Sequence, residues 1–305
     1  MSNILVVYNK TDRITKYMKF DLKILENEKI PKDLREIPQP PKKLYLAGSL
    51  PPEDTICLAV VGSRKCTTYG KDAVKKLISG LKGYPIAIVS GLAVGIDALS
   101  HEAALDAGLF AIAFPGSGIS EKVFFPPSSL KLAEKIINSG GCILSEFEPD
   151  LKAAYYTFPM RNRLVAGISK AALIIEAQDK SGTLITARMA LDYNREVLAV
   201  PGPINSEFSK GTNRLIKQGA TPVTCSDDIL EALGFKIDNE SKQQNLFDDA
   251  TIEEKAILKL LREPLERDEL IRKMKMATGI ANAALSIMEI KGLIKEEMGE
   301  IRASF

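Results

Sequence analysis

Five short stretches carry the residue types that hold anions. Val61-Gly62-Ser63-Arg64-Lys65 sets a small residue, a hydroxyl and two cations side by side. Glycine lets a ligand approach the backbone, a hydroxyl donates a hydrogen bond, and a guanidinium grips phosphate through parallel donors. Ser90-Gly91-Leu92-Ala93-Val94-Gly95-Ile96-Asp97 follows, with Asp97 placed to cap the next helix, and then Phe114-Pro115-Gly116-Ser117-Gly118. The fourth stretch joins Phe158-Pro159-Met160-Arg161-Asn162-Arg163 to Lys180-Ser181-Gly182-Thr183 across the apolar run Ala171–Ala177. The fifth is Pro201-Gly202-Pro203 with Lys210-Gly211-Thr212-Asn213. These turns suit an anion. None of them is GxxxxGK[ST] or GxGxxG, so neither a P-loop ATPase nor a dinucleotide oxidoreductase is supported.

Groups for catalysis are scarce. His101 is the one histidine, which removes most Ser-His, Cys-His and His-metal mechanisms, and it reads as packed or capping. Glu146, Glu148 and Glu176 are candidate carboxylates without an evident nucleophile or metal partner; Glu176, at a buried strand end, reads as an arginine's salt-bridge partner. Cys57, Cys66, Cys142 and Cys225 form no CxxC pair, which argues for a reducing cytosol and against a disulfide framework or zinc site. No metal and no cofactor is expected.

The elements that must position these turns come from an alternation of short apolar and longer amphipathic runs. Strands are predicted at Ile56–Val61, Pro85–Ser90, Phe110–Pro115, Cys142–Glu146, Ala171–Glu176, Val197–Pro201 and Pro222–Cys225. Helices are predicted at Tyr69–Lys82, Ala98–Ala107, Ser129–Asn138, Pro159–Ile168, Thr183–Tyr193, Thr212–Lys217 and Asp227–Leu233. Strands apolar on both faces with helices between them make a doubly wound, mostly parallel, Rossmann-like α/β sheet. The five turns then share the rim at the strands' carboxyl ends, where such sheets bind ligands, and helix N-termini there offer free N–H groups to anions.

Arg161 and Arg163 cannot both face one ligand, because two residues along a helix point about 200° apart. Two readings stand: one arginine pairs with an internal carboxylate such as Glu146 or Glu176, or one, Arg161 for preference, faces the rim.

Four segments are expected: an arm over 1–39, the Rossmann-like domain over 40–235, a polar linker over 236–250 and a winged helix over 251–305. In the arm, Ile4–Tyr8 suits a short strand and Lys10–Asn27 a basic amphipathic helix. In the last segment, helices at Ile252–Leu261, Glu266–Lys273 and Thr278–Ile290 precede a hairpin turning at Met298-Gly299, with Thr278 as N-cap and Gly292 as stop. The chain has 305 residues, 45% hydrophobic and 26% charged, with a net charge of only +2, so any nucleic-acid affinity must come from a local patch. No apolar run approaches 18 residues and no leader signal appears, so a cytoplasmic protein without membrane contact is expected.

With the turns assembled, the chain resembles the DNA-processing protein A family (DprA, also called Smf). The resemblance rests on Val60–Arg64, Ser90–Asp97, Pro115–Ile119, Ser145–Phe147, Phe158–Arg163, Glu176-Ala177, Ser181–Ala187, Val200–Gly202 and Gly211–Ile216, in order over about Pro40–Leu233. It implies a binding protein, not an enzyme: one that binds and protects single-stranded DNA during natural transformation, loads the RecA recombinase onto it, and forms a homodimer through the Rossmann-like domain. The implied DNA-contacting arginine falls on Arg64. The Arg161-Asn162-Arg163 and Ser181-Gly182-Thr183 turns would line the same pocket. The expected contact set is Gly62, Ser63, Arg64 and Lys65; Gly91 and Gly95; Gly116, Ser117, Gly118 and Phe125; Arg161, Asn162 and Arg163; Lys180, Ser181, Gly182 and Thr183; and Lys210 with Asn213. Leu215, Ile216 and Pro222–Val223 are interface candidates on the same ground.

The chain departs from the family in two places. The N-terminus is too short for the helical domain of about seventy residues that many members carry. Phe125-Pro126-Pro127-Ser128 replaces a Tyr-Pro segment followed by Asn; there Phe124 and Phe125 either stack a base or are both buried. The winged helix offers Asn282 and Ser286 but no base before Lys291 on its third helix, which favours a protein-interaction or regulatory role over groove reading. Two other functions compete. A nucleotide phosphoribohydrolase would need a carboxylate on the turn after Gly182-Thr183, where Leu184-Ile185-Thr186 stands. A winged-helix regulator with a nucleotide-sensing domain would need a more basic third helix.

Overall fold

Alternation of buried strands with amphipathic helices produces one mixed sheet. The computed structural model describes residues 20–236, 251–261, 264–291, 293–297 and 299–303. The strands of the first unit are β1 (Leu22–Glu26), β2 (Lys43–Gly48), β3 (Ile56–Val61), β4 (Ile86–Ser90), β5 (Phe110–Ala113), β6 (Cys142–Ser145), β7 (Ala171–Ile174), β8 (Glu196–Ala199) and β9 (Thr221–Pro222). Their order across the sheet is β1-β2-β6-β5-β4-β3-β7-β8-β9. From β6 to β9 all neighbours are parallel, while β2 runs antiparallel to β6 and β1 antiparallel to β2. Every residue of β4, β6 and β7 is buried, as strands covered on both faces require.

The connecting helices are α1 (Lys32–Arg35), α2 (Thr68–Ser79), α3 (Ile96–Asp106), α4 (Leu130–Asn138), α5 (Thr157–Ile168), α6 (Thr183–Asp192), α7 (Lys210–Lys217) and α8 (Ser226–Ala232). Helices α2, α3, α4 and α8 pack among themselves, and α1, α5 and α6 form a second group, as a doubly wound sheet requires. The chain winds outward from β3 through β4, β5 and β6, then returns to place β7 on the other side of β3. That reversal opens a crevice between the carboxyl ends of β3 and β7.

Two expectations change. Leu22–Glu26 is an edge strand, not part of a helix, with Leu25 opposite Leu44 of β2. A five-residue run that is ambiguous alone takes the conformation its partner strand rewards. Of the expected helix Lys10–Asn27, residues 10–19 lie outside the described residues, as does Ile4–Tyr8. The expected strand ends Pro115, Glu176 and Pro201 lie beyond the strands, which stop at Ala113, Ile174 and Ala199.

The chain divides into two compact units, Met1–Lys236 and Ile237–Phe305. The second contains α9 (Ile252–Leu260), β10 (Leu265–Glu266), α10 (Arg267–Met274), α11 (Thr278–Ile290), β11 (Ile294–Glu297) and β12 (Glu300–Ala303). Its core gathers Ile257, Leu258, Leu261, Leu270, Leu285, Met288, Ile294 and Ile301. Thr251 and Glu254 form a reciprocal capping box on α9. The N-cap of α11 is Ala277 without a side-chain bond, so Thr278 is the first helical residue rather than the cap. Gly292 lies outside the described residues. Among the described residues no helix is long and apolar enough to cross a membrane.

Candidate nucleic-acid interface

A cleft of about 530 Å³ opens at the reversal point between β3 and β7. That volume suits enclosure of part of a small ligand or chain segment. Gly62, Ser63, Arg64 and Lys65 form one wall, Arg161 and Asn162 the floor near α5, and Ser181, Gly182 and Thr183 the wall at the start of α6. Turns a hundred residues apart in sequence therefore meet.

The first turn is pre-ordered from within and from its neighbour. Ser63 Oγ accepts the Lys65 backbone N–H at 3.1 Å. Ile96 N–H donates to Ser63 O at 3.2 Å. This approach needs Gly95, whose φ is +86° and where a Cβ would lie 2.4 Å from Ser63 O. Asp97 does not cap α3. Its carboxyl is buried; burial pushes its pKa up, while the Arg161 guanidinium and the backbone N–H groups of Ala93 and Gly91 oppose the rise. It braces the second turn.

The arginines divide. Arg64 is exposed, with its guanidinium carbon 5.1 Å from the centre of the Phe158 ring, and no ion pair holds it among the described residues. Arg161 is buried and donates from Nη1 to the carbonyls of Gly91 and Phe114. It ties the ends of β4 and β5 together and shows only part of itself to the cleft. Arg163 points elsewhere: it pairs with Glu146 and donates to Gln39 O at 2.5 Å. The choice left open in the sequence resolves as Arg161 at the rim and Arg163 on an internal carboxylate.

Beside the cleft a notch of about 100 Å³ lies between Phe125, Phe158 and Arg64, with Gly91, Gly116 and Arg161 also in its wall. The two rings meet edge to face at 5.7 Å between centroids. Gly116 permits this, because a Cβ there would stand 2.6 Å from the Phe158 ring. Ser117 is buried and accepts the Phe125 N–H at 3.1 Å, so it acts through Phe125. Phe125 is 40% exposed while Phe124 is buried, so burial holds for the first ring of the pair and not for the second.

Other expected residues are brought to the rim as scaffold or fall outside the cleft lining. Gly118 packs on the Glu148–Pro149 backbone. Ser181 Oγ accepts the Thr183 N–H at 3.2 Å and caps the entry to α6. Lys180 is exposed and does not line the cleft. Lys210 is held by Glu207 at 2.5 Å. Asn213 is bonded through both side-chain atoms to the Gly202 backbone, at 3.2 and 3.0 Å, and fixes the fifth turn. Glu176 accepts from Thr67 N–H and Oγ1 and organises the start of α2, so it pairs with a threonine and not an arginine. His101 is wholly buried, and burial pushes its pKa down to about 3.

Two lining aromatics stand outside the expected contact set, Phe158 although its stretch is singled out and Tyr155 altogether. Phe158 stacks under Arg64, and Tyr155, 93% exposed, stands at the cleft margin. The tandem Tyr155-Tyr156 in a loop was the available signal. Among the described residues no group of three His, Cys, Asp or Glu is arranged to hold a metal.

Residues 21–234 match the family described as DNA recombination-mediator protein A, and residues 241–300 match the DprA winged helix domain. Protein Smf of Escherichia coli is 40% identical over 210 residues, covering 69% of this chain but only 56% of its own length. The solved DprA of Streptococcus pneumoniae is similar at a TM-score of 0.66 and 35% identity, over 75% of this chain and 79% of that one. The Helicobacter pylori DprA, solved for its single-stranded DNA binding mode, is similar at 0.63 and 33%, over 70% and 96%. The chain belongs to the DNA recombination-mediator protein A family.

Proposed function

We propose that the rim cleft binds single-stranded DNA with little sequence preference, and that the protein acts as a recombination mediator. The observation that carries this is Arg64: an exposed guanidinium without an ion pair among the described residues, lying over Phe158 where the cleft and the aromatic notch meet. A phosphate can take the guanidinium while a base enters between the rings, and neither contact reads base edges. The single-stranded DNA binding of the Helicobacter pylori relative supports this. Replacing Arg64 with Ala is expected to weaken binding of an oligothymidine by about 2 kcal/mol, near thirtyfold, at physiological salt. Fluorescence anisotropy measures this; an affinity within twofold of wild type would remove the assignment.

The mediator role extends to handing the strand to RecA in the cytoplasm, during natural transformation, as a binding protein rather than an enzyme. A homodimer is proposed through the groove between α6 and α7, where Leu184, Leu191 and Leu215 face one another and Leu191 is 52% exposed. Of the earlier interface candidates, Leu215 and Val223 are both buried within the monomer, and Leu215 reaches only the floor of that groove. Leu191→Arg should shift the sedimenting species from dimer to monomer.

A further inference from the structure

A second groove, of about 440 Å³, shares Arg64 with the cleft and runs away from it along α2 and α3. Its walls carry Lys65, Lys71 and Ser128, all exposed, and one carboxylate, Glu102. Among the described residues neither lysine is ion-paired. Arg64 is the residue common to the cleft, the notch and this groove. A polymer bound at Arg64 has to leave the cleft, and this groove is the basic path adjoining it. Lys71 and Ser128 line this groove and not the cleft, so they test the path without touching the first contact.

We propose that the Lys65–Lys71–Ser128 groove is a second binding site for the sugar-phosphate backbone of nucleotides beyond those held in the cleft. The inference rests on the reading of the cleft as a single-strand site. Lys71 supplies a point charge to a phosphate, Ser128 a hydroxyl donor, and Glu102 repels the backbone from the far wall. Backbone contact of this kind adds affinity in proportion to strand length and adds no sequence preference.

The test compares oligothymidines of about 4 and 16 nucleotides, a range matching known single-strand site sizes. Lys71→Glu should leave the short oligomer's affinity at wild type and weaken the long one roughly fivefold, with the slope of log affinity on log salt shallower by about 0.7 per lost contact. Glu102→Gln should tighten the long oligomer about twofold. Both substitutions lie at exposed helix positions, and unchanged thermal melting shows that the fold is intact. If both variants bind the long oligomer with wild-type affinity and slope, the groove is not a DNA site, while the cleft reading stands. If Lys71→Glu weakens both lengths equally, the lysine serves the cleft and the second site is wrong. If the wild type binds neither oligomer, the cleft reading fails and takes this inference with it.

Discussion

Arg64 on the rim of the sheet and Arg267 in the winged helix are both surface arginines beside a polar residue, yet their surroundings separate them. Arg64 has a phenyl ring beneath it and no ion pair among the described residues. Arg267 donates to Asn282 Oδ1 at 3.2 Å and pairs with Glu296 at 2.5 Å, so its fork is spent inside its own unit. The contrast extends to the elements around them. The rim gathers cations, hydroxyls and helix N-termini at one reversal point. Helix α11 holds no lysine or arginine and exposes Ile280, Ile287 and Ile290 at 63%, 51% and 87%. A cation becomes a phosphate ligand where no carboxylate reaches it first, and that is a property of the tertiary fold. The third helix, where a winged-helix reader would place its base contacts, has no cation for a phosphate.

Arg163, next in sequence to the cleft-lining Asn162, is where a substitution should cost most. Its side chain and that of Glu146 are 9% and 12% exposed, and burial pushes Glu146 up against the opposing Arg163 charge. Arg163→Ala strands a buried carboxylate and should cost about 3 kcal/mol or more of stability, read by urea titration, with affinity per folded molecule unchanged. A stable variant that has lost DNA binding would return Arg163 to the interface.

This division marks what the sequence could disclose. Buried parallel strands appear as uninterrupted apolar runs, so the sheet and the positions of its turns were legible, as was the meeting of those turns on one rim. Strands β1 and β2 were not: Leu22–Glu26 is too short to choose between periods without its partner, and Lys43–Gly48 pairs with β6 from a segment where no strand is predicted. Nor was the fate of each cation. Arg163 finds Gln39, 124 residues away, and Asn213 finds Gly202, and neither spacing announces a bond. Phe124 and Phe125 are identical in sequence terms, and only the Ser117 bond to the Phe125 backbone accompanies the outward turn of the second ring.

His101 offers the next largest separation of the two units, since it is the chain's one histidine and lies in the α/β unit. Burial lowers its pKa from 6.5 to about 3. Its folded form therefore refuses a proton that the unfolded chain accepts in that interval. The stability it preserves is complete above pH 6.5 and is lost as the pH falls toward 3. Each pH unit is worth about 1.4 kcal/mol, so acidifying from pH 7 to 5 should cost the α/β unit about 2 kcal/mol. His101→Leu should flatten that slope. An equal slope in the variant would assign it to carboxylates instead.

Phe125 should give a smaller effect, confined to binding. Phe125→Ala removes one wall of the notch and should weaken oligothymidine binding by about 1 kcal/mol, near fivefold. The salt slope should stay at its wild-type value, because no phosphate contact is lost. A shallower slope would mean that the ring positions Arg64 and does not itself receive a base.

The smallest expected change tests the other side of the comparison. Ile287 and Leu285 lie two residues apart on α11, the first 51% exposed and the second buried in the core of its unit. Ile287→Ser gives up little packing and should alter stability by no more than about 0.5 kcal/mol, whereas Leu285→Ala should cost about 3 kcal/mol. The serine variant should also leave oligothymidine affinity unchanged, because the proposed single-strand contacts all lie on the rim. If Ile287→Ser weakened DNA binding as strongly as Arg64→Ala, the separation between the rim proposed to hold DNA and a helix without cations would fail. The pairing of Arg267 with Glu296 would then have to be read as a resting state that DNA displaces.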